Sequence, residues 1–139
     1  MMPAIAELRQ FAKRYTSAWC NHQAASVAGF YSEHGSLQIN DGAPAAGRTA
    51  IAGAAQSFMI TFPDLQLFMD DVVIRGDAAE YHWTLLGTNT APGGTGQRVR
   101  ISGFEVWRIG EDGLIAESQG HFDAADYQRQ LERGVQQPK

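Results

Sequence analysis

The hydrophobic period of this chain changes at Phe62-Pro63, and that change limits the fold more than any other feature. Upstream, Ile51, Ala55, Phe58, Met59 and Phe62 recur at helical spacing. Side chains three and four apart share one face of a helix, so a helix is expected over Gly47–Phe62. Pro63 ends it, because proline lacks the backbone donor and restricts the residue before it. Downstream the period is two. Leu65, Leu67 and Met69 form one register, Val72 and Ile74 another, and Asp70-Asp71 between them marks a bulge. Gly76-Asp77 turns the chain into Ala79–Thr90, with Tyr81, Trp83 and Leu85 on one face and Glu80, His82, Thr84 and Leu86 on the other. After the loop Ala91–Gly96, residues Val99–Asp123 form a long hairpin about Gly110-Glu111-Asp112-Gly113. In its second strand, counting by twos from Ile115 puts Glu117, Gln119, His121 and Asp123 on one face, opposite Ser118, Gly120 and Phe122. A strand face ending in Gln, His and Asp either meets water or lines a wet pocket.

The upstream half is mostly helical. Ile5, Leu8, Ala12, Tyr15 and Trp19 place a helix over about Pro3–His22, and a second is expected over about Gln23–Tyr31. Ser36–Asn40 reads as a short strand before the turn Asp41–Pro44. At the far end, DAADYQRQLERG reads as a short helix with Asp123 as N-cap and Gly134 as stop. Helices segregated from a run of four antiparallel strands mean an α+β fold. The expected shape is a cone: a strongly curved antiparallel sheet wrapped around three N-terminal helices, with a short C-terminal helix. A cavity between the concave face and the first and third helices is the place for a small apolar ligand.

The totals bound the function. A chain of 139 residues is one domain, spanning 1–139. A net charge of −4 with scattered Arg and Lys argues against nucleic acid and anionic membranes as partners. Cys20 stands alone, so no intrachain disulfide forms, and a reducing, cytoplasmic setting is expected. The N-terminal MMPAIAELRQFAKRY lacks the apolar core of a signal peptide, and no stretch is long enough to span a membrane. His22, His34, His82 and His121 show no metal-ligand spacing, and no nucleophile motif of the G-x-S-x-G type occurs.

The order of elements and a set of local words resemble the nuclear transport factor 2-like superfamily, and within it the SnoaL-like polyketide cyclases. The words are Phe30-Tyr31, Gly47-Arg48-Thr49-Ala50-Ile51, Phe62-Pro63-Asp64-Leu65, Trp83-Thr84, Gly87-Thr88-Asn89, Thr95-Gly96-Gln97, Asp112-Gly113-Leu114-Ile115, His121-Phe122-Asp123 and Gln130-Leu131. The resemblance implies a pocket-bound polyketide-like carbonyl compound and an acid/base aldol ring closure with no cofactor and no metal. The family's catalytic aspartate falls on Asp123. Asn89 stands where the family commonly has a histidine. Ketosteroid isomerase is a second relative. Its oxyanion tyrosine falls on Tyr15 and its protonated aspartate near Glu105. Its general base falls near Ile39, beside Asn40 and Asp41, so an aliphatic side chain occupies the base position.

Asp123 and His121 lie two apart on one strand face and together can move a proton at neutral pH, which makes them the expected catalytic pair. The plain alternative is that Asp123 caps the last helix and His121 is a surface residue. Gln119 shares their face and could orient a carbonyl. Glu105 reads either as a buried acid of raised pKa among Ile101, Trp107 and Ile109, or as an edge carboxylate paired with Arg100 or Arg108. Tyr15 and Trp19, one helical turn apart, are expected in a pocket wall. With Phe58, Trp83, Asn89 and Trp107 they complete the substrate-contact set. Both faces of the strands around Tyr81–Leu86 and Ile101–Trp107 carry bulky apolar groups. A sheet with two apolar faces needs cover on the outer one, so a homodimer through the convex face is expected.

Overall fold

The structure, a computed structural model, describes residues 3–135. The single-domain expectation therefore has both of its extreme ends outside the described residues. The order is α1 (Ile5–Cys20), α2 (Ala24–Gly29), β1 (Tyr31–Ile39), β2 (Ala45–Ala46), α3 (Arg48–Thr61), β3 (Gln66–Arg75), β4 (Ala78–Thr88), β5 (Arg98–Ile109), β6 (Ile115–Phe122) and α4 (Ala124–Arg133). The fold is α+β, with a six-stranded sheet ordered β2-β1-β6-β5-β4-β3.

Strands β3 to β6 form the expected antiparallel meander. The register slips between Met69 and Asp71, at the expected bulge. Alternation in β4 also holds: Ala79, Tyr81, Trp83 and Leu85 are buried, while Glu80, His82, Thr84 and Leu86 between them are partly exposed. The core lies between this inner face and α1 and α3, around Leu8, Ala12, Tyr15, Ile51, Ala55, Tyr81 and Trp107. Each is nearly or fully buried, and removal of their apolar surface from water drives the packing.

Two expectations about the sheet are corrected. It is mixed, not wholly antiparallel: β1 begins at Tyr31, well before Ser36, and pairs in parallel with β6. Tyr31 therefore opens a strand and does not close the second helix, which ends at Gly29. The second correction concerns the hairpin. A register shift at Arg108/Ile109, opposite Ile115–Glu117, inserts one residue into the alternation. Ile115 is buried, and after the shift Ser118 and Gly120 are buried too. A one-residue slip exchanges the two faces of every residue beyond it. Ser118, Gly120 and Phe122 therefore face inward, and Gln119 and His121 face out.

α4 lies over the sheet end. Asp123 is its N-cap, its Oδ1 accepting the Asp126 N–H at 3.0 Å, and Gly134, at φ 76°, ends it. Gln130 ties the helix to β5 by accepting the Arg100 N–H at 2.7 Å. Asp123→Ala is expected to lower stability by about 1 kcal/mol, with Asp123→Asn close to wild type, because Asn caps as well as Asp. Thermal unfolding of the two variants checks this.

Candidate functional site

A narrow cavity opens between the inner sheet face, α1, α3 and α4, with a free volume of about 60 Å³. α1 contributes Trp19, α3 Ala54 and Phe58, and β1 Leu37 and Ile39. The meander adds Leu67, Trp83, Leu85, Ile101, Glu105, Gly120 and Phe122, and α4 adds Tyr127. One ionisable carboxyl, that of Glu105, stands in an otherwise apolar and aromatic wall.

Glu105 sits on β5 with a relative exposure of 9 %. Its neighbour across β6 is Gly120, and the missing side chain there leaves the carboxyl open to the cavity. Behind it, Trp107 Nε1 and Ser118 Oγ each donate to Glu105 Oε1 at 2.9 Å, and Tyr15 Oη donates at 3.0 Å. Tyr31 Oη lies 3.5 Å from the same oxygen. It stands 3.0 Å from Tyr15 Oη and, since that hydroxyl's proton is committed to Glu105, acts as the donor to it. Oε2 has a single long contact, 3.4 Å from Tyr15 Oη. Burial raises the Glu105 pKa, outweighing the hydrogen bonds from Trp107, Ser118, Tyr15 and Tyr31 that lower it. Burial, followed by the Glu105 charge, also holds the Tyr15 hydroxyl far above its ordinary value, so it stays protonated as a donor. Tyr31 is raised in the same way.

This arrangement determines where a proton resides. Oε1 is occupied by donors, and an oxygen receiving three hydrogen bonds is the carbonyl-like one. The protonated acid therefore carries its hydrogen on Oε2, the oxygen left open. A neutral carboxyl with a free O–H can donate to a ligand oxygen. Once ionised, the carboxylate is held by the same donors.

The expected site residues separate into two groups. Glu105, Trp19, Phe58 and Trp83 line the cavity. Tyr15 and Trp107 stand directly behind the carboxyl; Trp107 stacks on Tyr81 at 4.9 Å and is fully buried. Asp123, His121, Gln119 and Asn89 are not in the cavity wall. Asp123 is an exposed helix cap. His121 is on the outer face, its ring 5.0 Å from that of Phe104. Gln119 is exposed beside Glu117, and Asn89 lies after β4 with its amide near Thr95. Ile39 lines the cavity, the neighbouring Asn40 side chain accepts the Phe122 N–H, and Asp41 is exposed. No carboxylate therefore stands at the isomerase base position. The edge-pair alternative for Glu105 fails, since both flanking strands are paired and its contacts are Tyr, Ser and Trp donors. Ser118 and Tyr31 join the site without any expectation from the sequence. The signal for Ser118 is its place opposite Trp107, which becomes readable only once the hairpin register is known.

No group of His, Cys, Asp and Glu among the described residues is placed to hold a metal ion. Among the same residues, no helix is long and apolar enough to cross a membrane.

Comparison with protein families matches residues 12–118 to the model described as SnoaL-like domain. Comparison with curated proteins finds no match. Among solved structures, TsrD from Streptomyces laurentii superposes with a TM-score of 0.79 at 23 % identity, over 94 % of this chain and 98 % of that one. A hypothetical protein of ketosteroid isomerase-like fold from Catenulispora acidiphila, in complex with trimethylamine, gives 0.76 at 14 % identity, covering 87 % and 91 %. The epoxide hydrolase/cyclase-like enzyme SalBIII, described for pyran ring formation in the polyether salinomycin, also gives 0.76 at 14 % identity, covering 90 % and 97 %. At these identities the likeness establishes the fold.

Proposed function

The chain belongs to the SnoaL-like domain family, and on that premise we propose that it is a cofactor-independent acid/base catalyst for an apolar carbonyl compound. The reaction is an aldol-type cyclisation or an isomerisation. The observation that carries this is Glu105: one buried carboxyl in an apolar cavity, its Oε1 saturated by donors and its Oε2 open.

The Glu105 Oε2 proton passes to the donor carbonyl oxygen and the resulting carboxylate, held by Trp107, Ser118 and Tyr15, takes a proton from the carbon next to that carbonyl, which gives the enol. The enol carbon then attacks the acceptor carbonyl as the Oε2 proton passes to the acceptor oxygen, and the carboxylate takes back the enol O–H proton. Glu105 ends protonated, and the net change is transfer of one hydrogen from carbon to oxygen with ring closure. Isomerisation uses the same two transfers without the new bond. A water-poor cavity favours the neutral form of the carboxyl and strengthens its hydrogen bond to the carbonyl. The aromatic walls of Trp19, Phe58, Trp83 and Phe122 hold the carbon skeleton.

A screen of aromatic polyketides and steroid-like ketones tests the proposal, with binding and turnover measured for wild type and Glu105→Gln. Binding retained with turnover lost in the variant supports it. Equal turnover in both sinks it. A second reading, a binding protein without catalysis, is favoured by one observation: Asp123, the family's catalytic position, caps α4 in an exposed site. That reading expects tight binding and no turnover from wild type.

The outer sheet face supports a second copy of this chain as partner. His82, Phe104 and His121 stack in a row across β4, β5 and β6, and Phe68, on the edge strand β3, is 46 % exposed. Isologous packing would cover this apolar strip. Light scattering at micromolar concentration is expected to give twice the chain mass, and Phe104→Glu to give the monomer. A monomeric wild type contradicts it.

A further inference from the structure

The cavity is small for the chemistry it carries. Its free volume is about 60 Å³, room for about four water-sized positions, whereas an apolar cavity that takes one benzene measures about 150 Å³. A substrate that brings an aromatic ring inside therefore needs a wall to give way. The walls are unequal. Trp19, Trp83, Leu85 and Ile101 are buried members of the core, and moving them would disturb close packing throughout the domain. Tyr127 is the cavity residue contributed by α4. That helix buries a single residue, the polar Gln130. Among the described residues, its one hydrogen bond to the sheet runs from the Arg100 N–H to Gln130 Oε1 at 2.7 Å. Its apolar hold on the core is the partly buried pair Tyr127 and Leu131. The Tyr127 ring packs edge-on against Phe122 at 5.4 Å and Phe62 at 6.3 Å.

An element with little buried apolar surface opens at less cost than the core. α4 is therefore the wall that yields, and the Tyr127 ring is the group that must leave. We propose that Tyr127 sets the size limit of the ligand: compact ketones bind with α4 seated, and larger ones enter only by displacing the Tyr127 ring and its helix. The proposal rests on the reading of this cavity as the substrate site. It adds that size is selected at α4, by a residue distinct from the Glu105 acid. A polyketide-like substrate loses part of its binding energy to moving α4, and a compact ketone does not.

The test compares butanone, which has no ring, with butyrophenone, whose phenyl group alone exceeds the cavity. Binding is followed at the amide resonances of nitrogen-15-labelled protein, and the state of α4 by hydrogen exchange. Wild type is expected to bind butanone with the protection of α4 unchanged. It is expected to reject butyrophenone, or to bind it with faster exchange of the Tyr127–Arg133 amides. Tyr127→Ala should raise the affinity for butyrophenone about tenfold, the cost of parting two aromatic pairs, and leave that for butanone within about twofold. Tyr127→Phe keeps the ring and should match wild type with both ketones. Tyr127→Leu should fall between, and it carries the test if the alanine variant does not fold. Butyrophenone bound to wild type with α4 protection unchanged would mean that its ring stays outside the mouth, and overturns the proposal. So does a Tyr127→Ala or Tyr127→Leu protein that gains no affinity for butyrophenone relative to butanone. Neither readout needs turnover, so the outcome is separable from that of the acid/base reading. Size selection that persists while no compound is turned over removes the catalysis and leaves the role of Tyr127 standing.

Discussion

Replacing Glu105 with Gln is expected to lower turnover by about 10²–10⁴-fold, the range for loss of a general acid or base. Ligand affinity should change much less. The amide is isosteric, and its oxygen can still accept from Trp107, Ser118 and Tyr15, so the donor cluster is preserved. What disappears is a transferable proton. Turnover by wild type should also fall as pH rises through the elevated Glu105 pKa, because the reacting form is the neutral acid. Stability carries the same signature. A glutamate in the unfolded chain titrates at about 4.3, and burial places the folded value above that. Its favourable contribution is full below the unfolded value and is lost as pH rises through the folded one. The amide of the Glu105→Gln variant does not titrate. The stability difference between the proteins should therefore shift in the variant's favour across that window and then level off. Urea midpoints over a pH series measure this. A difference that is flat with pH would mean that folding does not raise the Glu105 pKa.

Gly103→Ala is expected to cost about 3 kcal/mol, at the upper end for forcing a group into packed surroundings. A Cβ at this position would overlap the His121 carbonyl oxygen and lie 2.7 Å from Trp83 Cζ2. The first contact is with backbone of the neighbouring strand, which cannot yield without parting β5 from β6. The second would push the Trp83 indole off the cavity wall. Melting should fall by roughly 10 °C for a chain of this size, and ligand affinity should fall with it. Gly113→Ala offers a contrast. Nothing lies within 4 Å of its added Cβ, and its penalty comes from φ 77° alone. Retention of the wild-type melting temperature by Gly103→Ala would show that the two strands are not packed as described.

The sequence is most legible where one face of an element is buried and its period runs unbroken. Helix α3, strand β4, the Asp70-Asp71 bulge and the Asp123 cap all follow from local pattern. The catalytic face of the hairpin does not, because one extra residue near Ile115 exchanges the faces. Asp123, His121 and Gln119 stand out as polar groups in a row, yet that row faces outward. Glu105 is recognisable as a candidate, but its three donors come from α1, β5 and β6, with Tyr31 of β1 behind them, and no spacing along the chain reveals such a convergence. β1 is under-read for a related reason. Tyr31–Gly35 lacks alternation, and its partner strand is the last in the chain, so nothing local signals the pairing.

That pairing has a kinetic consequence. The hairpins of β3 to β6 join neighbours in sequence and can form early. The parallel contact between β1 and β6 brings Gln38 beside Gln119 and must close a loop holding most of the domain. Contacts of such long sequence separation carry the loop-closure entropy that slows folding. β1 supplies Leu37 and Ile39 to the cavity and Tyr31 to the Glu105 cluster. The cavity and its acid are therefore complete only once β1 has paired with β6, and until then the edge of β6 is unpaired, a template for association with other chains.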